Sequence, residues 1–183
     1  MILAACGPSR YTLWGARNTL NIETFESSSE ALQNRADILN KITPTVNPVH
    51  GTALVLVPSA VEINKNYIRS GFNAIYSDKE QIDSLIKSGS NYFQFIADAI
   101  QKRRIFDSVA VEHHNGNLAS VPFGDYDFMV IADVDGWTIR SKATPRPLSI
   151  AQDKWDKSNS DSDARIISFL NLLSQQAAAL CSK

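Results

Sequence analysis

Glu112-His113-His114-Asn115-Gly116 directly follows an apolar run, Phe106 to Val111, and carries residue types suited to proton transfer or metal binding. Histidine changes charge near neutral pH and is the commonest metal ligand. Segments that leave the carboxyl ends of strands are where sites gather in α/β proteins. Asp125 and Asp127 lie two residues apart, so on a strand they share one face. A carboxylate beside an imidazole can orient it and take up water's proton. His113 or His114 with Asp125 or Asp127 is therefore the constellation of a small hydrolase or a metal-dependent enzyme. Adjacency weakens it, because neighbours on a strand point to opposite faces and the two histidines cannot easily share one metal. The residues assign no catalytic group, no metal and no cofactor, and the enzyme stands as the alternative reading.

Other chemistry-bearing patterns are incomplete. Asp133-Val134-Asp135-Gly136 has the start of a calcium loop, but the position six residues past the glycine, where a bidentate carboxylate belongs, is Lys142. Asp135-Gly136 instead suits a two-residue hairpin turn, whose central positions need positive φ. The run VPSAVE after the strongest strand holds no glycine, so neither common phosphate-cradling loop is present there. No serine or cysteine lies in a nucleophile elbow. Eighteen basic and 19 acidic residues leave a net charge of −1. That balance supplies no basic stripe for nucleic acid. Lys102-Arg103-Arg104 is the one basic cluster, and its place at a helix carboxyl end favours a solvated cap that answers the helix dipole over a phosphate or lipid-headgroup contact.

The elements that would position these residues follow from periodicity. Ser27 and Glu30 have capping-box spacing ahead of a helix whose apolar face is Leu32, Ala36, Leu39 and Ile42. Thr52 to Val57 is continuously apolar, the habit of a central strand buried on both faces with helices on either side. Ser59 with Glu62, and Ser77 with Glu80, repeat the capping device. Gly89 is a point where the long helical pattern could divide, before the face Tyr92, Phe93, Ile96, Ala99 and Ile100. Phe106 to Val111 and Tyr126 to Val134 read as strands, Trp137 to Arg140 begins another, and Ser141 to Asn159 reads as a polar, proline-bearing connection. A last helix runs from about Asp161 to Leu180. The expected class is α/β: a small mixed sheet flanked by helices, with a C-terminal antiparallel hairpin and a final helix. Residues 29–183 form one domain of ordinary size.

Leu3-Ala4-Ala5-Cys6-Gly7 remains, a large apolar residue, two small ones, then cysteine. This stretch resembles the lipobox of bacterial lipoproteins. The resemblance implies that residues 1–5 are the remnant of a signal peptide and that Cys6 becomes the first residue of the mature chain, carrying a diacylglycerol. It implies that residues 6–28 are a tether, and that Gly7, standing where aspartate would favour inner-membrane retention, directs the protein to the outer membrane. The runs TALVLVPS, NYFQFIADAIQKRRIFDSVAV and YDFMVIADVDGWTI are similar in pattern to the small α/β domain of periplasmic assembly lipoproteins, the curli-secretion and Tol-associated domains among them. That second resemblance covers about residues 52–179 and implies a domain that binds partners rather than one that catalyses. Together they imply a lipid-anchored periplasmic envelope protein, in contact with membrane lipid through Cys6 and with an envelope protein or a second copy of itself. Cys181 is left as a lone thiol.

Overall fold

A computed structural model describes residues 28–68, 79–116, 118, 121–133, 136–150 and 162–181. Residues 1–27, with Cys6, most of the expected tether and Ser27, lie outside the described residues, as do Ser77 and Asp135. Five strands make one mixed sheet: β1 (Val49–Pro58), β2 (Phe106–His114), β3 (Phe128–Asp133), β4 (Gly136–Ser141) and β5 (Thr144–Ile150), in the spatial order β2-β1-β3-β4-β5. The helices are α1 (Ser29–Lys41), a short α2 (Ala60–Glu62) that continues as a π-helical turn (Ile63–Ile68), α3 (Lys79–Arg103) and α4 (Ser162–Cys181). The α/β class, the mixed sheet, the hairpin and the final helix are those expected.

β1 is the middle of the parallel part, paired with β2 on one side and β3 on the other. From Ala53 to Val57 no residue is more than 3% exposed. Ala53, Val55 and Val57 face the helical layer with Phe93, Ile96 and Ile100 of α3 and Phe169, Leu170 and Leu173 of α4. Leu54 and Leu56 face the other way, onto Met129, Ile131 and Leu118. Here the structure departs from expectation, because the described α-helices pack on one face. The second face is covered by the connection between β2 and β3, which packs Leu118, Val121, Phe123 and Tyr126 over it. A parallel crossover must pass over one face or the other. These apolar residues let the connection cover the face that the described helices leave.

β3 and β4 are antiparallel, with Phe128, Val130 and Ala132 on the helical side and Met129 and Ile131 opposite, as alternation requires. Their register sets Asp133 against Gly136, so Gly136 is a strand residue rather than half of the turn. The polar segment after Ser141 also differs from expectation, since Thr144–Ile150 pairs with β4 as β5. Pro145 and Pro147 are tolerated because β5 is an edge strand, where a missing N–H need not break a ladder.

α1 is capped by Ser28, whose hydroxyl accepts from the Ala31 N–H at 3.2 Å, one residue later than the expected cap. Its buried face accordingly turns to Ala31, Arg35, Ile38 and Ile42, leaving Leu32 53% exposed and Ala36 in solvent. The arginine in that face disguised it, because an arginine stem can lie along apolar surface. α3 runs through Gly89 undivided. At its carboxyl end the basic cluster fastens the layer. Arg103 donates to Thr43 O at 2.7 Å and to Asn171 Oδ1 at 2.8 Å, and Lys102 donates to Asn40 Oδ1 at 3.1 Å. Arg104 ends the helix with φ of 51°, the left-handed region. Against the sheet, Trp137 packs between Phe93 and Phe169, with ring centroids 6.2 and 5.4 Å away. Tyr92 meets Phe93 edge-to-face at 5.0 Å.

Two outcomes follow from this packing. Glycine adopts the left-handed conformation that an L side chain resists, so Arg104→Gly should raise the stability measured by urea unfolding by about 0.5–1 kcal/mol. Burial pushes the Tyr92 hydroxyl up to about 12, the Trp137 side chain working against the rise. The unfolded chain ionises near 10.0 and the folded one does not, so this contribution is complete below pH 10, falls as pH rises and is lost by about pH 12. Roughly 2 kcal/mol should disappear over that window in alkaline unfolding of the wild type, and Tyr92→Phe should flatten the loss.

Candidate functional site at the carboxyl ends of β1 and β2

The chain leaves β1 over the helical face and leaves β2 over the opposite one. Where two neighbouring connections part in this way, a crevice opens at the carboxyl ends of the strands, the usual ligand position in an α/β sheet. Its walls here are Ser59 and Glu62 after β1, and His114, Asn115 and Gly116 at the end of β2.

Each of these residues is engaged. Ser59 is the N-cap of α2, its hydroxyl accepting from the Glu62 N–H at 3.2 Å, as the sequence spacing anticipates. The same hydroxyl donates to Asn115 Oδ1 across the crevice. The Ser59 N–H donates to His114 O at 2.9 Å, extending the ladder by one bond. His114 is 6% exposed. Gly116 N–H donates to its Nδ1 at 3.1 Å, so the ring proton belongs on Nε2, which donates to Ala132 O of β3 at 2.8 Å. One imidazole thus joins the ends of β2 and β3. Glu62 is buried beside Gly116. Gly116 has φ of 90°, and a Cβ there would lie 2.8 Å from both Glu62 carboxylate oxygens.

In this arrangement Ser59 hands its proton to an amide oxygen, which is no base, and both nitrogens of His114 are committed. Neither nitrogen can bind a metal ion without breaking a bond that holds the strand ends. His113 is exposed, on the opposite side of β2 from His114. The expectation of opposed histidines is met.

The carboxylates expected to join them lie elsewhere. Asp125 and Asp127 precede β3 at the amino end of the sheet, beside Thr52, whereas His114 pairs with Pro58 at the other end of β1. Six residues of strand separate those levels, about 20 Å. The constellation of His113 or His114 with Asp125 or Asp127 is therefore not assembled. Parallel crossover explains this, since the chain must return to the amino end before β3 begins.

Asp127 instead locks that amino end. Its Oδ2 accepts from the Thr52 N–H at 2.8 Å and from the Thr52 hydroxyl at 3.2 Å. Its own N–H donates to Thr52 O at 2.9 Å, and its carbonyl accepts from the Lys142 N–H at 2.8 Å. The Thr52 N–H, then the Thr52 hydroxyl, lower the carboxyl below its ordinary range, helped by the charge of Lys142 and opposed by partial desolvation. Gly51, at φ of 133°, lets β1 approach this carboxylate, 2.9 Å from where a Cβ would stand. Among the described residues no group of three or more His, Cys, Asp or Glu side chains could hold a metal ion. Cys181 is an exposed free thiol in the last turn of α4.

Sequence reasoning singled out Ser59, Glu62 and the run from Glu112 to Gly116, but not Ala132, nor the pairing of Asn115 with Ser59 and of Gly116 with Glu62, which parallel strand pairing brings about. Compared with family models, curated proteins and solved structures, the chain matches none.

Gly116→Ala tests the closed crevice. It should cost about 2 kcal/mol of unfolding free energy through backbone strain and the collision with Glu62. In the Gly116→Ala/Glu62→Ala double variant the collision is gone. The combined loss should then fall short of the sum of the single losses.

Proposed function

We propose that the chain is a lipid-anchored envelope protein of the periplasm, held at the outer membrane through Cys6, whose α/β domain binds protein partners. The observation that carries this reading is Leu3-Ala4-Ala5-Cys6-Gly7 set ahead of a polar stretch and then a folded domain. No described helix is long and apolar enough to cross a membrane, and in this reading lipid does the holding. One acyl chain binds membranes only marginally, whereas the two chains of a diacylglycerol suffice. Partner binding is supported by the apolar side chains that the helices leave in solvent, Leu32 of α1 and Val61 of α2, the latter 70% exposed and beside the closed crevice.

The test is expression in a bacterium behind an intact export signal, with labelled palmitate in the medium. The wild type should take up label and sediment with outer membranes, and Cys6→Ser should take up none and leave the membrane fraction. Unlabelled, soluble wild type with a free Cys6 thiol would refute the anchor.

A further inference from the structure

The two edges of the sheet are built differently. β5 carries Pro145 and Pro147, a device that keeps an edge from pairing. β2, the other edge, runs nine residues, FDSVAVEHH, without a proline, glycine or lysine. Its centre, Val109-Ala110-Val111, is half-buried, the flanking Asp107, Ser108, Glu112 and His113 are exposed and polar, and the terminal Phe106 and His114 are buried. His114 O accepts from the Ser59 N–H just beyond β1, so strand alternation turns the main-chain groups of Val109, Val111 and His113 away from the sheet. Among the described residues no strand pairs with that edge. Gln101 Nε2 approaches Val109 O at 3.3 Å, a long bond from a surface side chain.

From this edge we infer that the chain dimerises, β2 pairing antiparallel with β2 of a second copy about a twofold axis at Ala110. The sequence of the strand is complementary to itself in that register. Val109 stands opposite the partner's Val111, and both residues present their main-chain N–H and C=O outward, as a hydrogen-bonded antiparallel pair requires. Ser108 stands opposite the partner's Glu112, which its hydroxyl can reach. Asp107 stands opposite the partner's His113, so a carboxylate meets an imidazole twice, once on each side of the axis. Asp107 is placed for this at the sheet's rim. Oδ2 accepts from the Gly51 N–H at 2.9 Å and Oδ1 lies 3.4 Å from Nδ1 of the exposed His50, while the Asp107 side chain remains 50% exposed. A shift of the axis by one residue in either direction shortens the ladder and breaks the Asp107–His113 match. The pairing would make one sheet of the two subunits and cover the unprotected edge of each. It goes beyond the anchored reading and does not depend on Cys6.

Sedimentation equilibrium of the full chain under reducing conditions, across a range of concentrations, tests the inference. The wild type should show a reversible monomer–dimer equilibrium. His113→Asp sets two like-charge pairs across the axis and should weaken the dimer about tenfold, whereas His113→Lys should tighten it. Residue 113 is exposed, so both variants keep the fold, which circular dichroism checks. Val111→Pro removes an outward N–H and should leave monomer only. A wild type that stays monomeric at every concentration would overturn the inference, as would a dimer indifferent to all three changes.

Discussion

Five consecutive residues of β1, Ala53 to Val57, are sealed from water on both faces, paired with β2 throughout and with β3 from Ala53 to Leu56. Almost everything else in the described structure is a consequence of that double burial. Two apolar faces need two covers, and two parallel neighbours need two crossovers. α3 and α4 supply one cover through Phe93, Ile96, Phe169 and Leu170. The other comes from the connection between β2 and β3, where Leu118 and the side chains around it supply the cover. Removal of apolar surface from water contributes in proportion to area, and the two sides of this sheet are unequal in that respect.

The two ends of β1 are each closed by a polar device. At the amino end the Asp127 carboxylate gathers the amide and hydroxyl of Thr52, and Gly51 leaves room for it. At the carboxyl end His114 spans to Ala132 while Ser59, Asn115, Glu62 and Gly116 fill the crevice between the departing connections. Buried polar groups are tolerated when their hydrogen bonds are made, and a satisfied network holds its members in one geometry. Here the position where an α/β sheet usually receives a ligand is braced by the chain's own side chains. Among the described residues, outward-looking features include the edge of β2, with which no described strand pairs, and the apolar side chains that α1 and α2 leave in solvent.

Much of this was legible in the residues and some was not, for reasons that differ from place to place. TALVLV announced a central strand because no half-exposed strand is apolar at every position. Ser59 with Glu62 announced a cap because that interaction is made within one turn. Adjacent histidines announced opposite faces because the pleat alternates. α1 was misread by one residue at its cap, and its buried face moved with it, since Arg35 in that face looks polar in sequence and lies against the core in space. β5 was hidden by its prolines, which count against a strand until it is known to lie on an edge.

The sequence by itself determined the class, the strands that form the centre, most helix faces and the local caps, since each rests on residues within a few positions of one another. Only the tertiary structure decided which chemistry-bearing groups meet. Asp125 and Asp127 are near His114 in the chain and at the opposite end of the sheet in space, because the parallel crossover carries the chain back along the full strand. The crossover from β1 to β2 brings Gly116 against Glu62, and the one from β2 to β3 sets His114 on a carbonyl of β3. A parallel sheet separates sequence neighbours and unites distant residues, and no pattern of spacing encodes which will meet.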